Sequence, residues 1–210
     1  MIYGLLIETG TERGLVALTD GVKVLEAIEL PFGYQNSKNL LPAMDALLKS
    51  RQLSPSQLKY IAAGIGPGSY TGLRVGIAAA KGLSFACQLP LIPISTLETF
   101  RSRTEDVVLI DAKIGGAYIL LEEGGPQVLP LEEIDLKKGT HIVTPNANVL
   151  RKKWEKLYPE LELVWEEKGP DPHVMAKLAW DKWNRKEYSL DGVVEILYLR
   201  KTQAEMERDG

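Results

Sequence analysis

Two hairpins set far apart in the chain constrain its fold more than any other feature. The first, YGLLIETGTERGLVAL from Tyr3 to Leu18, and the second, VVLIDAKIGGAYILL from Val107 to Leu121, share one layout. Each has an apolar strand, an acid directly after isoleucine, a short polar turn, a glycine and a second apolar strand. Glu8 aligns with Asp111 and Gly14 with Gly116. A layout repeated at that distance predicts an α/β protein with two duplicated lobes. The polar stretch RSRTED at 101–106 marks the expected boundary, giving a first lobe at 1–102, a second at 103–200 and a polar tail at 201–210.

The segments between the hairpins support the α/β reading. LLPAMDALLKS carries Leu40, Met44, Leu47 and Leu48 at helical spacing, with Pro42 in the first turn or at a kink. KYIAAGI reads as a short buried strand, Thr71 to Cys87 as a helix and LPLIPIS as another strand. In the second lobe HIVTP predicts a strand, and NANVLRKKWEKL and PHVMAKLAWDKWNRK predict helices. VVEILYLRK reads as a strand or extended arm and KTQAEMERDG as a disordered tail.

Composition excludes several classes of function. The 25 basic and 28 acidic residues leave a formal charge of −3, whereas a free-standing nucleic-acid binder carries a basic excess. Any RNA contact is therefore expected to be indirect, shared with a partner. The one cysteine, Cys87, cannot form an internal disulfide, and MIYGLLIETG lacks the charged start and apolar run of a leader. No apolar run approaches the roughly 18 residues of a membrane span, so a cytoplasmic protein with no membrane partner is expected.

The stretch GIGPGSYTGLRVGIAAAKGLSFA, Gly64 to Ala86, packs five glycines into its first thirteen residues and runs on as a helix. It is not a Walker A loop: only three residues separate Gly68 from Gly72, and Leu73 and Arg74 stand where lysine and a hydroxyl are needed. Nor do its glycines space as GxGxxG, and the following strand ends without the ribose-binding acid. Ser69 is not the serine of a GxSxG elbow. A strand-to-helix turn shaped by glycine, with Ser69 or Thr71 capping the helix, accounts for the loop. Within the helix, Gly72, Gly76 and Ala80, with Ala79 beside them, form a stripe almost without side chains. Each interior glycine costs about 0.5–1 kcal/mol relative to alanine, so a close contact must compensate. Spacing leaves open whether the chain's own lobe or a helix of another chain supplies it.

No catalytic or metal-binding constellation stands out. His141 and His173 are too few and too far apart for a zinc site, Cys87 has no activating histidine near it in sequence, and Ser69 has no base. RKKWEK at 151–156 reads as a solvated basic helix face. Trp154, Trp165, Trp180 and Trp183 read as core residues.

GIGPGSYTGLRVGIAAAKGLSFACQLPLIPISTLETF resembles the signature of the bacterial TsaB family, also called YeaZ, a partner subunit of the tRNA threonylcarbamoyladenosine machinery. GLLIETG, VVLIDAKIGGAYILL and EILYLRK are similar to the family's first strand, second hairpin and terminal strand. The resemblance implies a duplicated actin-like fold and a non-catalytic subunit that binds a TsaD-like transferase. It also implies a TsaC-type synthase and a TsaE-like ATPase in the same system, and a homodimer when the chain is alone. With it, the stripe reads as a partner seam of Leu40, Met44, Leu47, Leu48, Gly72, Gly76, Ala79 and Ala80. The alternative is a stand-alone actin-like ATPase or kinase with a degenerate nucleotide site. No cofactor is expected, because the places an actin-like ATPase uses for metal and phosphate read Glu8, Thr9, Gly10 and Thr11, then Asp111, Ala112 and Lys113, then PNANVL without glycine. Relative to aspartate, Glu8 is expected to carry its carboxylate outward. Asn36 stands where the family often has histidine.

Overall fold

The computed structural model describes residues 1–33, 36–113 and 116–199, arranged on two five-stranded sheets. In the first, β1 (Tyr3–Glu8), β2 (Leu15–Asp20) and β3 (Lys23–Glu29) form an antiparallel meander. The strands β4 (Leu58–Gly64) and β5 (Leu91–Ile94) add in parallel on the other side of β1. Helix α1 (Asn36–Ser50) connects β3 to β4, and α2 (Tyr70–Cys87) connects β4 to β5. The second sheet repeats the plan. There β6 (Val107–Asp111), β7 (Gly116–Leu120) and β8 (Gln127–Pro130) form the meander, with β9 (His141–Thr144) and β10 (Val164–Glu167) parallel beside β6. The two orders, β3-β2-β1-β4-β5 and β8-β7-β6-β9-β10, are the same topology twice.

The copies differ in their helices. Helix α3 (Ala147–Leu157) joins β9 to β10, but between β8 and β9 the chain makes only a short 3-10 turn at Leu131–Glu133. Helix α4 (Pro172–Asn184) opens with Asp171, whose carboxylate accepts from the His173 and Val174 amides. Chain order and spatial order part here: α4 follows the second sheet yet packs on the first, against β1, β2, β3 and β5. The residues that take it there are Met175, Ala176 and Ala179, the buried side of α4, which meet Leu6, Tyr60, Ala62, Ile92 and Ile94. In return, Leu97 and Phe100, which follow β5, pack on Val108, Ile110 and Val143 of the second sheet. The two halves are thus joined by crossed apolar contacts.

Strand alternation explains how one sheet serves two cores. Leu5 and Ile7 face the α1–α2 side, whereas Leu6 between them faces α4. Of the four tryptophans, Trp154 is fully buried among the residues of the second sheet and α3. Trp183 stacks on Tyr188 and meets Tyr60 at a tilt, and Trp180 lies over Gly21. Beyond α4 the chain runs as an extended arm rather than a full strand. Ser189 bridges to Leu91 and the Leu197 amide donates to Ile65 O at 2.8 Å. The polar tail 201–210 lies outside the described residues.

The glycine stripe faces the interior. A Cβ on Gly72 would stand 2.2 Å from the carbonyl oxygen of Thr9, and one on Gly76 would stand 2.2 Å from Thr9 Oγ1. Ala80 is buried in the same core, as are Leu40, Met44, Leu47 and Leu48 of α1. The reading of these seven residues as a partner seam is therefore corrected: the close approach is made by the chain's own β1 end. Only Ala79 of that set is partly exposed. Gly76→Leu should consequently destabilise the isolated chain by about 1–3 kcal/mol or more, the usual cost of overpacking. Urea titration of the two proteins would measure it, and an unchanged midpoint and slope would contradict the inward placement.

Candidate functional site

The loop Gly64 to Ser69 is built around the turn that ends β1. Gly66 has φ +108°, a conformation that favours glycine, and its amide donates to Thr96 Oγ1 at 3.1 Å. Gly68 packs so closely that a Cβ would stand 2.1 Å from Gly10 O, and the next amide, Ser69 N, donates to that same oxygen at 2.7 Å. Ser69 caps α2 by accepting from Gly72 N at 3.3 Å. Thr9 Oγ1 donates to Gly72 O at 2.8 Å. The glycines thus let the loop close on the first hairpin.

That closure fixes where the weakly marked nucleotide residues lie. Glu8 is fully buried, not turned outward: its Oε1 accepts from Gly10 N at 2.5 Å and its Oε2 accepts from Thr96 Oγ1 at 3.0 Å. The extra methylene folds the carboxylate back over Gly64, where a Cβ would collide with Oε2 at 1.9 Å. Burial pushes the Glu8 carboxyl up from 4.5 to about 7, with the Gly10 amide and Thr96 hydroxyl pulling the other way. Thr9 and Thr11 are buried as well, and of the four residues only Gly10 reaches the cleft between the lobes. Asn36, whose amide donates to the carbonyls of Thr9 and Thr11 at 3.3 Å each, braces the turn from α1. Nothing in its composition marked that role.

The cleft itself encloses about 510 Å³. The turn of the first hairpin and the start of α2 form one wall, and Ile110 to Lys113 with Thr144 to Asn146 form the other. Asp111, the counterpart of Glu8, accepts from Lys153 Nζ at 2.7 Å and from Lys113 Nζ at 3.2 Å. These contacts hold its carboxyl below the usual range against the opposing effect of burial. RKKWEK therefore contributes Lys153 to this wall, whereas Arg151 pairs with Glu155 on the exposed side of α3. A nucleotide with magnesium, as an actin-like ATPase would hold, does not fit these residues. One hairpin carboxylate is sealed in the core and the other is engaged with two lysines. His141 pairs instead with Asp106 at 3.0 Å and Glu166 at 3.3 Å, and His173 lies exposed at the start of α4.

A second feature was not visible in the stripe. On α2 the exposed positions recur at Thr71, Arg74, Ala78, Gly82 and Phe85, the side opposite Gly72, Gly76 and Ala80. Phe85 is 88% exposed, and Leu41 on the adjacent α1 is 61% exposed. A Cβ on Gly82 would meet nothing within 4 Å. Both helices pack on the same face of the first sheet, and their outer surfaces carry Leu41, Ala46, Ala78, Gly82 and Phe85 among the charged residues Lys38, Asp45, Lys49 and Arg74. No described helix is long and apolar enough to cross a membrane.

Comparison with known proteins agrees with this architecture. The crystal structure of an uncharacterized Pseudomonas aeruginosa protein with similarity to peptidase YeaZ superposes with a TM-score of 0.78 at 25% identity, covering 95% of this chain and all of that one. The tRNA threonylcarbamoyladenosine biosynthesis protein TsaB of Escherichia coli is 35% identical over 121 residues, 54% of this chain and 52% of the relative. In sequence and in fold the chain is similar to the TsaB (YeaZ) family. The TsaB of Haemophilus influenzae is 37% identical over 121 residues, 54% of this chain and 51% of its own length. The family model for TsaD, tRNA N6-adenosine threonylcarbamoyltransferase, matches residues 34–136. The matched part spans about half the length of these curated TsaB relatives. The TsaB likeness and the repeated sheet topology together make the fold a duplicated actin-like α/β fold of two lobes.

The buried Glu8 makes stability depend on pH in a stated direction. Folding raises its pKa from 4.5 to about 7, so the folded chain binds the proton more tightly. This group's contribution is then fullest below about 4.5 and is lost as pH rises toward 7. At about 1.4 kcal/mol per pH unit across that window, the loss is about 3 kcal/mol. Glu8→Gln should flatten the dependence and be the more stable protein at pH 8. Chemical denaturation at pH 5, 6, 7 and 8 would measure both slopes, and equal slopes would contradict the assignment.

Proposed function

We propose that this chain serves tRNA threonylcarbamoyladenosine biosynthesis as a non-catalytic subunit, docking on a TsaD-like transferase through the outer face of α1 and α2. The reading is carried by the exposed apolar residues of that face. Leaving a phenylalanine such as Phe85 in water forfeits about 1.5–3 kcal/mol of burial, which a partner would recover. Ala78 and Gly82 between the larger side chains allow another helix to approach closely. The names of the relatives supply the pathway, and the family-model match to TsaD supports a partner with related helices. In the absence of that partner, the same face pairs with a second copy of this chain.

The non-catalytic part of the proposal rests on the cleft. Glu8 and Asp111 are both committed to internal contacts, so neither is left to hold a metal or activate water. Making the threonylcarbamoyl adenylate and cycling the assembly with ATP then fall to a TsaC-type synthase and a TsaE-like ATPase. With a formal charge of −3, the chain meets tRNA through its partner and not by itself.

Two substitutions on one helix test the docking face. Gly82→Leu fills open space, so thermal melting should be unchanged or slightly raised, yet affinity for the TsaD-like subunit should fall by about five- to 150-fold. Phe85→Asp should weaken the same complex at least tenfold without lowering the melting temperature of the monomer. Wild-type affinity in both variants, measured calorimetrically, would sink the proposed face.

A further inference from the structure

We propose that Arg13 is an interlobe clasp that fixes the relative placement of the two sheets without any bridging ligand, a role independent of the docking partner. Arg13 lies in the turn between β1 and β2, beside the cleft residue Glu12. Its Nε donates to the carbonyl oxygen of Pro145 at 2.8 Å, and its Nη2 pairs with Glu167 Oε1 at 2.5 Å. Both acceptors belong to the second lobe, at the start of α3 and the end of β10. The other oxygen of Glu167 accepts from Ala147 N at 2.9 Å, at the first residue of α3, where free amides favour a carboxylate.

The arginine is held from every side. Its guanidinium lies 5.1 Å from the centroid of the Phe32 ring, and a Cβ on Gly169 would rest on Arg13 Cβ at 3.6 Å. Thr11, whose side chain is buried, accepts from Arg13 N at 3.2 Å and donates to Arg13 O at 3.0 Å. A residue at one of the expected phosphate positions thus orients the clasp instead. A planar fork holds a carbonyl and a carboxylate in one fixed geometry, whereas a lysine offers a single ammonium on a flexible stem. The arginine and glutamate side chains keep 29% and 34% of their exposure, so the pair is partly shielded from water and salt.

Other polar ties between the halves run through the connecting segments. Asp171 N donates to Thr99 O at 2.8 Å, and Lys168 Nζ donates to Ser102 Oγ at 2.8 Å. Those contacts tether the lobes at the crossing of the two connections. Arg13 adds a tie on the other side, across the cleft.

The test is a distance distribution between spin labels on the two lobes. Labels at Lys49→Cys on α1 and Lys156→Cys on α3, in a Cys87→Ala background and diluted with unlabelled chain, should give one narrow distribution with Arg13 intact. Arg13→Met keeps the stem packed on Phe32 and Gly169 while removing charge and donors. It should broaden the distribution or add a second distance at unchanged helical content, and Arg13→Lys should fall between. A distribution as narrow in Arg13→Met as in the parent overturns the proposal. Should Arg13→Met fail to fold, Glu167→Ala, which leaves Arg13 only Pro145, decides in its place: broadening supports the clasp and an unchanged distribution overturns it.

Discussion

The contact between the Gly64–Gly72 loop and the turn after β1 governs the rest of the molecule. Backbone meets backbone there: Ser69 N donates to Gly10 O, Thr9 Oγ1 donates to Gly72 O, and Gly68 and Gly72 have no room for a Cβ. This approach draws α2 down onto β1, seats Gly76 over Thr9 and buries Ala80. It also fixes Glu8, because the same closure brings Gly64 and Thr96 to its carboxylate. A carboxylate with that environment is a strut between β1 and the loop, with a proton affinity set by burial and not by a ligand.

The orientation of α2 then decides which surface remains for other molecules. A helix of this composition is apolar on more than one side, and only one side can meet the sheet. The side that wins has the smallest residues, since they permit the shortest distance to β1. What remains outside is a second row of small residues, Ala78 and Gly82, closed at one end by Phe85. The inner stripe makes the fold, and the outer one is free to make the assembly. The cost of the interior glycines is met within the chain, whereas the cost of exposing Phe85 is not.

Much of this was legible in the sequence, and its limits have physical reasons. The paired hairpins announced the duplicated sheets because strand, acid, turn and glycine impose the same register in each copy. The glycine stripe announced a close approach, but rows at 72, 76, 80 and at 78, 82, 85 are both helical faces, and periodicity alone does not say which meets the sheet. The position of α4 was hidden for a related reason: Met175, Ala176 and Ala179 predict a buried helix face without naming the sheet it covers. Arg13 gave no signal, since a lone arginine in a turn becomes legible only when Pro145 and Glu167, more than a hundred residues later, are brought beside it.

The fate of the cleft follows from the same logic. Two lobes around a cavity need something to set their spacing, and here side chains of the chain itself do so. Arg13 reaches across one edge, while on the opposite wall Lys113 and Lys153 converge on Asp111 within the second lobe. Each of these contacts satisfies a charge within the chain itself. A chain arranged in this way gains little from closing on a small molecule and more from keeping its lobes still. Under the proposed docking role that stillness matters, because an exposed helix face is recognised more tightly when the body that carries it is already ordered.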